Sequence, residues 1–402
     1  MSVLKSRRWW LGVLLSWLSL MAAATVILLI RSASGGLLDL QVYRVGGQAW
    51  LGDYRLYVDS FAKPLNGPEL PFTYPPLAAV LFSVLAVVPW PAAVLVWTIP
   101  GLLLLTAVCV VGARHVYGNG QRAVVIGLAL AAGGLLLEPV RNSLDLGQIN
   151  LLLMGLVALD CLLPKTRWPR GLLIGFAAAI KLTPLVFVLF FLPRKQVKPV
   201  VTAIVAFLGF GLIGFAAAPT DSKQYWFESL LDPGRVGGLA FVGNQSLRGL
   251  VHRLWFPGAV ETAIWAVLGL ATVVLVWVAV RRAQDDRLAA LIAVAVGGLL
   301  ISPVTWSHHW VWVVPGLLLL GRQRVWAGLV VALFLVAPMW FLPSEPDPAH
   351  PWSWWQHVIG NAYVWAGLAA LVVLARRRSG ARPAPLDEPG VEAAVGSERL
   401  AS

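Results

Sequence analysis

Asp39, in Leu38-Asp39-Leu40-Gln41-Val42-Tyr43, is a carboxylate a few residues beyond a long apolar run. Beside apolar neighbours such a group keeps or raises its basicity and can take a proton from a hydroxyl. A capping or solvated acid is the structural alternative. Lys181, in Lys181-Leu182-Thr183-Pro184, interrupts another apolar run and presents a cation where bulk water is scarce. A phosphate would satisfy it, and Asp145 or a backbone carbonyl would do so equally well. The stretch Arg141-Asn142-Ser143-Leu144-Asp145-Leu146-Gly147-Gln148-Ile149-Asn150 reads as a short polar turn. Unpaired polar groups near lipid are costly, so this turn is expected to line a hydrophilic cavity.

Ser302-Pro303-Val304-Thr305-Trp306-Ser307-His308-His309-Trp310 sets two of the six histidines side by side at the end of an apolar run. On a helix, residues i and i+4 share a face and neighbours do not, so the pair suits proton transfer or hydrogen bonding to an anion better than chelation of one metal ion. His308 is the ring expected to face the cavity. The flanking tryptophans also suit a plain interfacial aromatic belt. Asn244-Gln245-Ser246-Leu247-Arg248 offers amides and a guanidinium of the kind that bind sugar and phosphate, in a loop that would be polar in any case. In Phe72-Thr73-Tyr74-Pro75-Pro76-Leu77 the two prolines are good helix starters, and their further use would be to hold Tyr74 and the loop against lipid.

The elements that position these residues are membrane helices. Of 402 residues, 58% are hydrophobic and 12% charged, against roughly 25% charged in soluble domains. Apolar runs recur from Trp9 to Ala375, long enough for helices and lacking the alternation of a barrel. Candidate helices fall at 9–30, 91–113, 122–140, 148–163, 171–193, 199–218, 261–280, 288–303, 310–320, 325–342 and 358–375. Residues 76–88 are too short to span and are expected at the interface. Trp9–Ile30 is too long for a cleaved signal and is expected to stay as the first helix. Bases flank 171–193 on both sides, so this run is expected to be two half-helices turning at Lys181–Pro184, which gives about twelve helices.

With that topology both termini lie inside, and the inside segments hold 21 of the 31 Lys and Arg, as the positive-inside rule asks. Most of the net charge of +12 is then topology, and no nucleic acid partner is implied. Extracytoplasmic loops are expected at about 31–90, 220–260 and 343–357, and residues 376–402 read as a disordered cytoplasmic tail after a 1–375 catalytic domain. Cys109 and Cys161 lie inside apolar runs and imply no disulfide framework.

Asp39-Leu40-x-Val42-Tyr43, Phe72-Thr73-Tyr74-Pro75-Pro76, Gly147-Gln148-x-Asn150, Lys181-Leu182-Thr183-Pro184, Asn244-Gln245-Ser246 and Ser302-Pro303-x-x-Trp306-x-His308-His309 together resemble glycosyltransferase family 87. These are GT-C-type, polyprenol-phosphate-mannose-dependent α-mannosyltransferases of mycobacteria and related actinobacteria. The resemblance implies an all-α, polytopic GT-C architecture with interfacial helices in a long first extracytoplasmic loop. It also implies inverting mannose transfer at the periplasmic face of the plasma membrane, α-1,2 in members that this chain resembles, from the lipid carrier onto a phosphatidylinositol mannoside, lipomannan or lipoarabinomannan.

By that analogy Asp39 is the catalytic base for the acceptor hydroxyl. The donor already carries a phosphate leaving group, so transfer needs a base and cations for the developing charge. Lys181, Arg141, Arg248 and Arg44 are candidates for the cations, His308 or His309 for phosphate positioning or proton relay. Tyr74, Asp145, Gln148, Asn150, Asn244 and Gln245 are candidates for substrate contact. No cofactor and no metal ion are expected. A secondary transporter or lipid flippase would give a similar helix count, but it would place its polar site near the midplane between two repeated halves, whereas the polar residues here gather at one face.

Overall fold

The computed structural model describes residues 2–58, 61–321 and 323–377; the expected tail lies, but for its first two residues, outside the described residues. Helix α1 (Ser2–Ala33) leads through Leu37, whose backbone is left-handed, into α2 (Leu38–Leu51). A strand-free stretch then reaches α3 (Pro76–Ala86), capped by Pro75 and begun by Pro76 as the two prolines suggest, and α4 (Trp90–Tyr117). Helices α5 (Gln121–Gly134) and α6 (Glu138–Leu146) meet at a 65° bend. Next come α7 (Asn150–Leu162), α8 (Leu172–Ile180) and α9 (Val188–Phe191), then α10 (Val197–Ala217), α11 (Pro219–Phe227) and α12 (Leu247–His252). The chain continues through α13 (Gly258–Arg282), α14 (Arg287–Ile301), α15 (Val313–Gly316) and α16 (Arg324–Val336). It closes with α17 (Trp354–Gly360) and α18 (Ala362–Arg376), bent by 68°.

Four helices, or six with each bent pair taken as one span, are long and apolar enough among the described residues to cross a membrane: Trp9–Ala33 of α1, α4, α10 and α13, with α5–α6 and α17–α18. At 1.5 Å per residue the shortest of the four still covers about 30 Å of hydrocarbon. About twelve crossings would require the shorter apolar pieces, such as α7, α14 and α16, to span as well. Of these, α7 and α14 are enclosed, α14 burying nearly every residue from Leu288 to Gly297, while α16 buries only Phe334 and, like α10 and α13, leaves much of its apolar surface outward.

Two local findings shape the site. The run after Arg170 does break as its proline suggested: α8 stops, Lys181 is extended at φ −149° and ψ 124°, and a tight turn over Thr183–Phe187 follows. Pro184 has no N–H to continue the helical ladder. By contrast, the polar stretch expected as a turn at Arg141–Gln148 is mostly helix α6, with Pro139 in its first turn and Gly147, at φ +71°, ending it. A Cβ on Gly147 would lie 2.6 Å from that of Leu40, so α6 can end against the start of α2 only because this residue lacks one. Gly47 likewise lets α2 cross α3, since a Cβ there would meet the Phe82 backbone at 2.6 Å.

Candidate active site

Asp39 lies in the first turn of α2, where the exposed N–H groups of a helix favour negative charge. Tyr43, one turn on, shares its face and is fully buried, stacked on Phe82 with ring centroids 4.6 Å apart. The Tyr43 hydroxyl is 2.7 Å from that of Tyr74 and donates to Gln148 Oε1 at 3.0 Å. Tyr57 in turn donates to the Tyr74 carbonyl at 2.7 Å. With its oxygen turned to the tyrosines, Gln148 has its amide nitrogen left for Asp39. Burial raises the Asp39 carboxyl above the ordinary carboxylate value, and the Gln148 hydrogen bond and the Lys181 charge oppose that rise. The result is a half-buried carboxylate of enhanced basicity within the field of a lysine.

The broken segment presents Lys181 to the same place. Its Nζ lies 5.3 Å from the Tyr74 ring centroid and 3.4 Å from His309 Nε2. His309 Nδ1 accepts the Trp306 backbone N–H at 3.2 Å, so a neutral ring carries its proton on Nε2. The ammonium and this N–H are then two donors facing one another, an arrangement completed by an acceptor, ideally an anion, between them. Asn150, Lys181 and His309, with the hydroxyls of Thr183, Ser302 and Thr305, are the polar part of the lining of a cavity of about 440 Å³ whose wall is otherwise largely apolar, including Val157, Phe187, Leu299 and Trp312. A charged head group on an apolar chain fits such a lining.

Asp39, Tyr74, Gln148, Asn150, Lys181 and His309 thus come together from distant parts of the chain. His308 does not line the cavity, contrary to expectation: in the tight turn over Ser307–Trp312 adjacent side chains diverge by about 120°. Its ring meets His309 edge-on at 4.8 Å, and its buried Nε2 finds no partner among the described residues. The His308 carbonyl accepts from Ser143 Oγ at 2.8 Å and Asn150 Nδ2 at 2.9 Å.

Other expected contacts are engaged elsewhere. Asp145 pairs with Arg31 and not with Lys181. Arg44 donates to the Val88 carbonyl at 2.9 Å and lies over Trp90. Arg141 is exposed on α6 and does not line the cavity. Arg248 pairs with Glu261 at 2.9 Å, its guanidinium 4.9 Å from the Trp265 ring centroid. Asn244 and Gln245 are fully buried with their amides used by the fold. Asn244 Oδ1 accepts from Thr305 N and Ser246 Oγ, and Gln245 spans Val242, Gly360 and Tyr363. Together with Arg253, a buried guanidinium on the Phe241 and Asn244 carbonyls, they strap the 241–246 loop against residues 303–307.

Sequence reading passed over Tyr43 and Glu138. Tyr43 was marked by its i+4 spacing from Asp39 on a helix not anticipated there, and Glu138 by being a lone acid amid apolar residues.

A membrane protein with a lysine and a histidine on the wall of a largely apolar cavity, and a carboxylate within the lysine's field, fits the class of enzymes that act on membrane-borne substrates. The sequence profile of glycosyltransferase family 87 matches residues 72–303, and this chain belongs to that family. Asp39 and the histidine pair fall outside the matched span. The chain is 38% identical over 359 residues to the polyprenol-phosphate-mannose-dependent α-(1-2)-phosphatidylinositol mannoside mannosyltransferase of Mycobacterium tuberculosis, covering 84% of each. It is 37% identical to the protein of the same name from Mycolicibacterium smegmatis, covering 84% of this chain and 83% of the relative. It is 34% identical to the M. smegmatis polyprenol-phosphate-mannose-dependent α-(1-2)-phosphatidylinositol pentamannoside mannosyltransferase, covering 85% and 86%. No solved structure matches the chain. The chain is a membrane glycosyltransferase, and the transporter reading is not favoured.

Proposed function

We propose that this protein transfers mannose from polyprenol-phosphate-mannose to a mannosylated phosphatidylinositol glycolipid, forming an α-1,2 linkage with inversion at the anomeric carbon. Asp39 takes the proton of the acceptor hydroxyl as its oxygen attacks the anomeric carbon. The bond from that carbon to the phosphate oxygen breaks, and the released lipid phosphate is held between Lys181 Nζ and His309 Nε2. The apolar cavity takes the part of the polyprenyl chain next to the phosphate. A single carboxylate suits displacement in one step, because retention would require a nucleophile as well.

The observation that carries this reading is that Lys181 and His309, 3.4 Å apart, line a largely apolar cavity, with Asp39 within the lysine's field. The names of the relatives support the choice of donor and acceptor. In this reading residues 1–375 form one catalytic domain with about twelve crossings, the chamber faces the periplasm and both termini are cytoplasmic. The distribution of Lys and Arg supports that orientation. The test is incorporation of labelled mannose from the lipid donor into glycolipid by membranes carrying the wild type or Asp39→Asn. Transfer by the wild type alone is expected, and equal transfer by both would remove Asp39 as the base.

A further inference from the structure

Glu138 opens α6 as a lone acid, and it is 2% exposed. Among the described residues it accepts four hydrogen bonds, all from neutral donors, one on its own helix and three on distant parts of the chain. Oε1 accepts from Ser307 Oγ at 2.7 Å, Asn142 Nδ2 at 3.1 Å and Trp340 Nε1 at 3.1 Å, and Oε2 accepts from the Tyr363 hydroxyl at 2.9 Å. Burying a carboxylate in this way is costly unless its lone pairs are filled, and a hydrophobic residue of similar size would hold the helices together without that cost.

The placement of Ser307 explains what the carboxylate is for. Ser307 follows Trp306, whose N–H fixes the His309 ring, and its own N–H donates to the Gly243 carbonyl at 2.9 Å. Asn142, bonded to Glu138 one turn away, also donates to Ser307 Oγ at 3.2 Å. The turn that aims His309 at Lys181 is therefore gripped at Ser307 by backbone on one side and by Glu138 on the other. We infer that Glu138 is a positioning residue of the transfer reaction, holding the Trp306–His309 turn so that His309 Nε2 meets the donor phosphate beside Lys181. This inference rests on the proposed reaction.

Its test is a double-mutant cycle measured as mannosyl transfer, with kcat and acceptor KM read separately. Glu138→Ala and His309→Ala are each expected to lower kcat on the order of tenfold, what one charge-assisted hydrogen bond contributes. Acceptor KM stays within about twofold, and the combined variant is no slower than His309→Ala alone. Glu138→Gln keeps the Oε1 acceptor and retains most of the rate. Losses that multiply in the double variant, a rate unchanged by Glu138→Ala, or a Gln variant as slow as the Ala variant would each overturn the positioning role. Should Glu138→Ala fail to fold, Ser307→Ala takes its place in the cycle, and wild-type rate or a multiplying loss there overturns the inference. A His309→Ala enzyme with wild-type kinetics would instead overturn the phosphate-holding reading itself, and the inference with it.

Discussion

Two buried polar regions of this molecule look alike in the sequence and differ in what their atoms have left to do. In the strap of Asn244, Gln245 and Ser246, the amide and hydroxyl groups are satisfied by backbone or by one another. In the chamber around Lys181 and His309, two donors face each other across 3.4 Å on the wall of a cavity, and a carboxylate stands in the lysine's field. In the frame the amides are spent on the fold, and in the chamber two donors remain turned to a largely apolar cavity. The amide-rich loop that resembled a sugar site is the frame on which the histidine-bearing turn is built.

The hardest test of the contrast is Asp39→Asn. It is expected to lower transfer on the order of 10³-fold, within the usual worth of a general base, while the folded protein persists in the membrane, as labelled-mannose incorporation and detergent-solubilised yield would record. Lys181→Ala is expected to weaken donor use by roughly 10- to 100-fold, the value of a charged hydrogen bond, read as a rise in donor KM. The same variant moves the acid limb of the pH–rate profile. Asp39 must be deprotonated to act, so activity falls as pH drops through its pKa. Burial already raises that pKa and Lys181 holds it down. Without the lysine the limb therefore shifts to higher pH, and a limb that moves down or stays would separate the two groups.

Between the histidines, His309→Ala should slow transfer by about tenfold and His308→Ala by less, because only the former ring lines the cavity; kinetics with the reverse order would return the cavity to His308. The strap supplies the opposite signature. Asn244→Ala or Gln245→Ala leaves buried groups unpaired and is expected to cost about 1–3 kcal/mol of stability, seen as a lower thermal midpoint, with donor and acceptor KM unchanged in the protein that folds. The smallest effect is expected of Arg44→Ala, whose guanidinium serves the Val88 carbonyl: donor KM within about twofold. A large KM change in either would erase the distinction between frame and site.

Much of the site was legible before the structure, because the sequence marks polar residues that apolar surroundings do not tolerate without reason. Asp39, Lys181 with Pro184, and the histidine pair all stood out in this way, and the break at Lys181 followed from the proline. Helix α2 was not legible: Leu38–Leu51 contains Gly46 and Gly47, poor helix formers whose use here is close packing on α3. Nor was α6, whose polar residues read as a turn until Glu138, Asn142 and Ser143 found partners near His308.

Composition and apolar run length alone determined that this chain is a bundle of membrane helices, since the energy of placing side chains in hydrocarbon depends on residue type and little on neighbours. Which polar groups remain free depends on partners more than a hundred residues away, such as Tyr363 for Gln245, His309 for Lys181 and Arg31 for Asp145. Hydrogen bonds are short-ranged and directional, so spacing along the chain could nominate these residues, and only their packing could decide which are spent on the fold and which are left for a substrate.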